Sequence, residues 1–198
     1  MRAALAAIAV TTVAGCALLS PPADGDVTTA MLDKMPSEVT RGEPRAASLL
    51  VLPPETPPVY DTTQMAYTVR PHEIAYFSRH RWGETPSHMV QSLLVRTLEA
   101  TGRFSVVLAP PYTGRYSYSL RTEILELTQD FTAEPPALRL SLRLQLSSEG
   151  ANGKTVTREI SIQEPMQAKT PGAGVIAANE ATAKALQEVA GFLLQNTP

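Results

Sequence analysis

The chain predicts an α+β domain: a mostly antiparallel sheet with two amphipathic helices packed on one face. Three observations carry this. Leu138, Leu140, Leu142, Leu144 and Leu146 alternate with Arg139, Ser141, Arg143 and Gln145. That period of two describes a strand dry on one side and wet on the other. Lys154 to Gln163 returns after a turn as the hairpin partner, with Val156, Ile160 and Ile162 on one face. Two stretches then show helical spacing instead: Met89, Val90, Leu93, Leu94 and Leu98, and Ala178, Ala183, Leu186, Val189, Ala190, Leu193 and Leu194.

The 198 residues allow one ordinary domain plus extensions. Hydrophobic content of 43% with 18% charge describes a globular chain, not a disordered one. A net charge of −2 gives no electrostatic reason to expect a nucleic-acid partner. The single cysteine, Cys16, cannot form an intramolecular disulfide.

Residues 1–15 read as a signal peptide outside the fold. Arg2 supplies a basic start, and Ala3 to Val13 is an apolar run too short to span a bilayer. Val13-Ala14-Gly15-Cys16 then resembles the bacterial lipobox. That resemblance implies cleavage before Cys16 and its lipidation. The alternatives are an ordinary secretory peptide with a chance cysteine, or an uncleaved anchor. A diacylglyceryl group and further acyl chain would attach the protein firmly to a membrane with no spanning segment. Ala17, not Asp, follows the cysteine, which by the same resemblance favours the outer membrane's periplasmic face.

Residues 16–45 read as a flexible tether, because Pro21, Pro22, Gly25, Pro36, Gly42 and Pro44 interrupt any sustained period. The domain proper is placed at 46–198. Ser48 to Leu52 is a compact apolar run closed by Pro53-Pro54, consistent with a buried strand. Gln64 to Val69 and Glu73 to Phe77 read as two strand pieces bent at Pro71. Ser78 to Pro86 reads as a loop carrying the only tryptophan, Trp82. Thr85 is positioned to cap the first helix, with Pro86 at its first turn and Gly102 beyond its end. Phe104 to Leu108 is a strand stopped by Pro110-Pro111. A longer strand starts near Tyr116, and its apolar phase changes after Ile124, which predicts a bulge there. Glu149 to Lys154, with Asn152-Gly153, is the hairpin turn. Pro165, Pro171, Gly172 and Gly174 read as a connector before a helix from about Val175 to Gln195. Glu159 is placed to meet Arg139 or Arg143 across the sheet.

A tyrosine-rich strand pair, then Arg81-Trp82-Gly83-Glu84-Thr85-Pro86, then an amphipathic helix resembles the auxiliary lipoproteins of ABC-type transport systems, the paraquat-inducible protein C group among them. The family's usual loop is nearer Trp-Ala-Glu-Pro-Pro, so Gly83 and Thr85 depart from it. The resemblance covers roughly residues 48–195. It implies a non-catalytic role beside an ABC permease, its ATPase and a mammalian-cell-entry-type substrate-binding protein, with lipid as cargo. Two other roles stay open: a carrier holding an acyl chain between the leucine face and the helices, and an envelope lipoprotein unconnected to a transporter.

No catalytic or cofactor signature is found. His72, His80 and His88 recur every eighth residue, which is not a one-face ligand spacing; no Cys is available to join them and no two fall on one element. There is no Gly-x-Ser-x-Gly elbow, and Gly172-Ala173-Gly174 lacks the Lys-Ser/Thr of a phosphate loop. Glu126, Asp130 and Glu134 read as a solvated strand end. The candidate partner-binding residues are Arg70, Arg79, Arg81 and Trp82, since Arg and Trp are enriched at interface hot spots. Trp82 has an equally simple alternative as a plug beside the first helix.

Overall fold

The computed structural model describes residues 26–150 and 153–198. In chain order they form β1 (Thr28–Ala30), β2 (Arg45–Val51), β3 (Gln64–Thr68), β4 (Ala75–Trp82), α1 (Pro86–Ala100), β5 (Phe104–Leu108), β6 (Tyr118–Asp130), β7 (Ala137–Ser148), β8 (Thr155–Pro165) and α2 (Pro171–Asn196). The expected signal peptide, the lipidation of Cys16 and Asn152 of the hairpin turn lie outside the described residues.

The leucine alternation fixes the core. Leu138, Leu140, Leu142, Leu144 and Leu146 are each no more than 2% exposed, and they meet Ala178, Ala181, Ala185, Leu186, Val189 and Leu193 of α2 in one cluster. Each fully buried leucine contributes about 1.5–3 kcal/mol. The alanines let the helix approach the sheet closely. Helix α1 joins the same cluster through Met89, Val90, Leu93, Leu94 and Leu98. Strands β6, β7 and β8 form the expected antiparallel meander, and the β6–β7 register shifts between Ile124 and Glu126, where the phase change predicts a bulge.

The eight-stranded sheet is mixed, a correction to the mostly antiparallel expectation. Pairs β3–β4, β6–β7 and β7–β8 are antiparallel, whereas β1–β4, β2–β5, β2–β6 and β3–β6 are parallel. The cause is the 13-residue length of β6. One of its edges goes wholly to β7. The other is shared by two short strands: β2 beside Tyr118–Leu120 and β3 beside Gln129–Asp130. Between them Glu55 makes an isolated bridge to Glu123. The segment from β2 to β5 contains α1, long enough for the crossover that parallel neighbours require.

Three local expectations are also corrected. The tether does not extend through residue 45. Thr28–Ala30 pairs with His80–Trp82, Leu32 is buried, and the Asn179 side chain accepts from the Asp33 and Lys34 amides at 2.9 and 3.0 Å. Gly42 N–H donates to the Thr101 carbonyl at 2.9 Å. Such long-range bonds hold a segment that has no periodicity of its own. At α1, Thr85 is the N-cap residue but its hydroxyl lies 2.9 Å from Ser87 Oγ and caps no amide. Helix α2 starts four residues earlier than expected, at Pro171, because Thr170 Oγ1 accepts from the Ala173 amide and Pro suits the first turn.

Candidate functional site

The β3–β4 hairpin carries the residues singled out in the sequence. Ser78 to Trp82, expected as a loop, continues β4, because β1 supplies a partner along its far edge. Strand alternation then separates neighbours. Trp82 turns into the core and is 4% exposed, beside Ala30, Leu32 and Met89 of the same cluster. This corrects its placement among partner-contacting residues: it is the plug beside α1. At Gly83 a Cβ would meet Met31 Sδ, the end of an exposed side chain that can move aside. Arg81 points to the other side of the sheet, in register with Gln64 and Thr29, and is exposed, as is Arg79. Neither forms an ion pair with a described residue. Arg70 lies at the hairpin tip, where Arg70 Nη1 and Glu73 Oε2 are 3.3 Å apart and both side chains are exposed.

Stacked rings brace the hairpin. Tyr67 and Phe77 lie with centroids 4.3 Å apart, and Phe131 closes on both. On the opposite face the Tyr76 hydroxyl donates to the Val59 carbonyl at 2.9 Å. The tip folds back through the Thr68 hydroxyl, which is 2.7 and 2.6 Å from the Arg70 and Glu73 carbonyls. His72 takes a φ of 67° in this turn, a left-handed conformation uncommon for non-glycine residues.

The wet face of the sheet is a lattice of ion pairs. Arg143 reaches Glu123 and Glu159, each at 2.8 Å, so the predicted partner of Glu159 is Arg143. Arg139 instead reaches Glu126 at 2.6 Å and Asp130 at 3.2 Å. This corrects the expectation that Asp130 belongs to a solvated strand end: it is buried. Asp130 Oδ1 also accepts from the Thr132 amide at 2.8 Å and the Thr132 hydroxyl at 2.6 Å. Burial alone would raise the Asp130 carboxyl. The Thr132 hydrogen bonds and the Arg139 charge outweigh it, and the group sits below its ordinary value. Burial, then the Glu126 charge, pushes the Tyr60 phenol up.

These groups line a cleft of about 440 Å³ between the hairpin tip and the ends of β6 and β7. Glu73, Glu126, Asp130 and Arg139 are its charged lining, with Tyr60 and Thr128 in its wall. Sequence reading missed it because its residues come from four separate segments. The available signal was charge complementarity between Glu126 and Arg139 at facing ends of a predicted hairpin. Histidines 72, 80 and 88 fall on the tip, β4 and α1, and the described residues contain no cluster of three or more His, Cys, Asp or Glu side chains suited to a metal. No described helix is long and apolar enough to cross a membrane.

Solved structures share this fold. A protein of Xanthomonas campestris superposes with a TM-score of 0.74 at 19% identity, over 84% of this chain and 95% of that one. A second, uncharacterized protein gives 0.69 at 14% identity, over 85% and 99%. A hypothetical protein of Chlamydia trachomatis gives 0.53 at 8% identity, over 76% and 96%. No curated protein sequence matches the chain. The model of one family matches residues 31–190, which takes in the hairpin, α1, the whole meander and α2 as far as Ala190. The chain thus belongs to the ABC-type transport auxiliary lipoprotein component family.

Proposed function

We propose that the chain is a non-catalytic docking component of an ABC-type intermembrane transport system. Lipidated Cys16 holds it in the outer membrane, facing the periplasm, and the domain binds the permease and a mammalian-cell-entry-type substrate-binding protein that moves lipid. The observation that carries the reading is the family match over residues 31–190, on a domain whose five β7 leucines are buried beneath the helices. A carrier of acyl chains between the leucine face and the helices needs space there, and the five leucines are at most 2% exposed. Work is then left to the surface, where Arg79 and Arg81 stand unpaired by any described residue on β4. Exposed arginines of this kind gain most when a partner supplies carboxylates.

The test is affinity capture from solubilised envelopes with the full chain carrying Arg79→Ala and Arg81→Ala. Recovery of permease and substrate-binding protein is expected to fall at least about fivefold, which corresponds to about 1 kcal/mol of lost affinity. Capture at wild-type level overturns the docking assignment. In parallel, Cys16→Ser is expected to release the protein from the membrane fraction. Retention there overturns the anchor.

A further inference from the structure

We infer that the cleft beneath the β3–β4 tip is a receptor for a basic side chain, the guanidinium or ammonium of an extended peptide segment on a partner protein. The lining holds three carboxylates, Glu73, Glu126 and Asp130, against one guanidinium, Arg139. Both Asp130 oxygens are occupied, Oδ1 by Thr132 and Oδ2 by Arg139. Glu126 offers only Oε1 to Arg139, and Glu73 only Oε2 to Arg70. Glu126 Oε2 and Glu73 Oε1 accept nothing from the described residues.

A second observation is independent of the charges. Thr128 lines the cleft and is 3% exposed, yet its hydroxyl has no partner among the described residues. A buried hydroxyl left unpaired destabilises the fold, and a donor group entering the cleft would supply what it lacks. The rim supplies the rest of the match. Pro71 and exposed Ile74 border the opening, where the aliphatic stem of an arginine or lysine can lie while its head reaches the carboxylates. A space of about 440 Å³ is also larger than a bare amine requires. The tip's shape is set within the turn itself, by the Thr68 hydroxyl against the Arg70 and Glu73 carbonyls and by the left-handed His72. The inference does not depend on the transport reading, since it concerns one peptide and one cleft.

The experiment is an amide-resolved NMR titration of the full chain in detergent micelles with the blocked tripeptide acetyl-Ala-Arg-Ala-amide. Matched arms use acetyl-Ala-Gln-Ala-amide and O-phosphoethanolamine, the latter representing a lipid headgroup amine. Saturable shifts confined to Thr68–Ile74 and Thr128–Thr132 are expected with the arginine peptide alone. Glu73→Gln, at a side chain 57% exposed and so without consequence for folding, is expected to weaken binding about threefold. Thr128→Val keeps the side chain's shape and is expected to weaken it similarly. An equal response to the glutamine peptide, binding of phosphoethanolamine at the same affinity, or unchanged affinity in both variants overturns the inference.

Discussion

The two faces of the β6–β7–β8 meander are made by alternate residues of the same strands, and they do opposite work. The inner face presents leucines that α2 seals from water. The outer face presents Arg139, Arg143, Glu123, Glu126 and Glu159 in paired contacts. Removing apolar area from water stabilises the fold with little demand on geometry. Exposed ion pairs contribute about 0–1 kcal/mol each but fix where charge sits. Stability is therefore stored on one side, and charge placement is free to serve recognition on the other.

The sharpest break of this division is Trp82→Ala. Trp82 and Arg81 are neighbours on β4, one on each face. Loss of the buried indole is expected to cost about 3–5 kcal/mol, read from the urea midpoint of the full chain. Arg81→Ala is expected to stay within about 0.5 kcal/mol of wild type. A Trp82→Ala chain as stable as Arg81→Ala would mean that the tryptophan is not a core residue.

Asp130→Asn sharpens the same comparison, because Asp130 is the place where the charged face is itself buried. Its carboxyl is depressed in the folded chain by Thr132 and Arg139. Such a group stabilises above the ordinary carboxyl value of 3.8, and the contribution is lost as pH falls through the lower folded value. The groups around it, Glu126, Arg139, Thr132 and the Tyr60 phenol, do not change that sign at neutral pH. The variant is expected to lose about 1–3 kcal/mol at pH 7, the cost of a hydrogen-bonded charge. The gap from wild type should close as pH drops below the carboxyl range. A gap that stays constant with pH would show that the carboxylate charge is not what Arg139 needs.

How much of this was legible in the sequence follows the same division. Alternation is local, so the meander, its leucine face, the bulge after Ile124 and the spacing of both helices could be read from neighbours two to four residues apart. Parallel pairing is not local. Nothing within Ser48–Leu52 states that it lies beside Tyr118–Leu120, although its unbroken apolar run is the pattern of a strand covered on both faces. Ser78 to Arg81 is polar on both sides and looked like a loop. It is a strand whose end pairs with β1, and β1, only three residues long, is too short to carry a pattern of its own. Of the candidate surface residues, exposure of Arg70, Arg79 and Arg81 followed from their type. The side on which Trp82 falls depends on β4 continuing to its end, which the local residue pattern does not show.

The smallest predicted effect tests the dry face where it breaks its own rule. Gln129 of β6 is opposite Leu138 and beside Tyr67, on the leucine side, and is 1% exposed. Neither its amide nitrogen nor its oxygen has a partner among the described residues. The first turn of α2 packs directly on it: a Cβ at Gly174 would overlap the Gln129 amide, so a glycine there lets the helix come this close. A face that only stores stability gains nothing from an unpaired amide, which costs about 1–3 kcal/mol. Gln129→Met keeps the length, removes both polar atoms and tolerates an irregular space. The variant is expected to be about 1 kcal/mol more stable than wild type in urea denaturation. A loss of similar size would mean that the amide finds a partner in solution, and that this end of the inner face does more than exclude water.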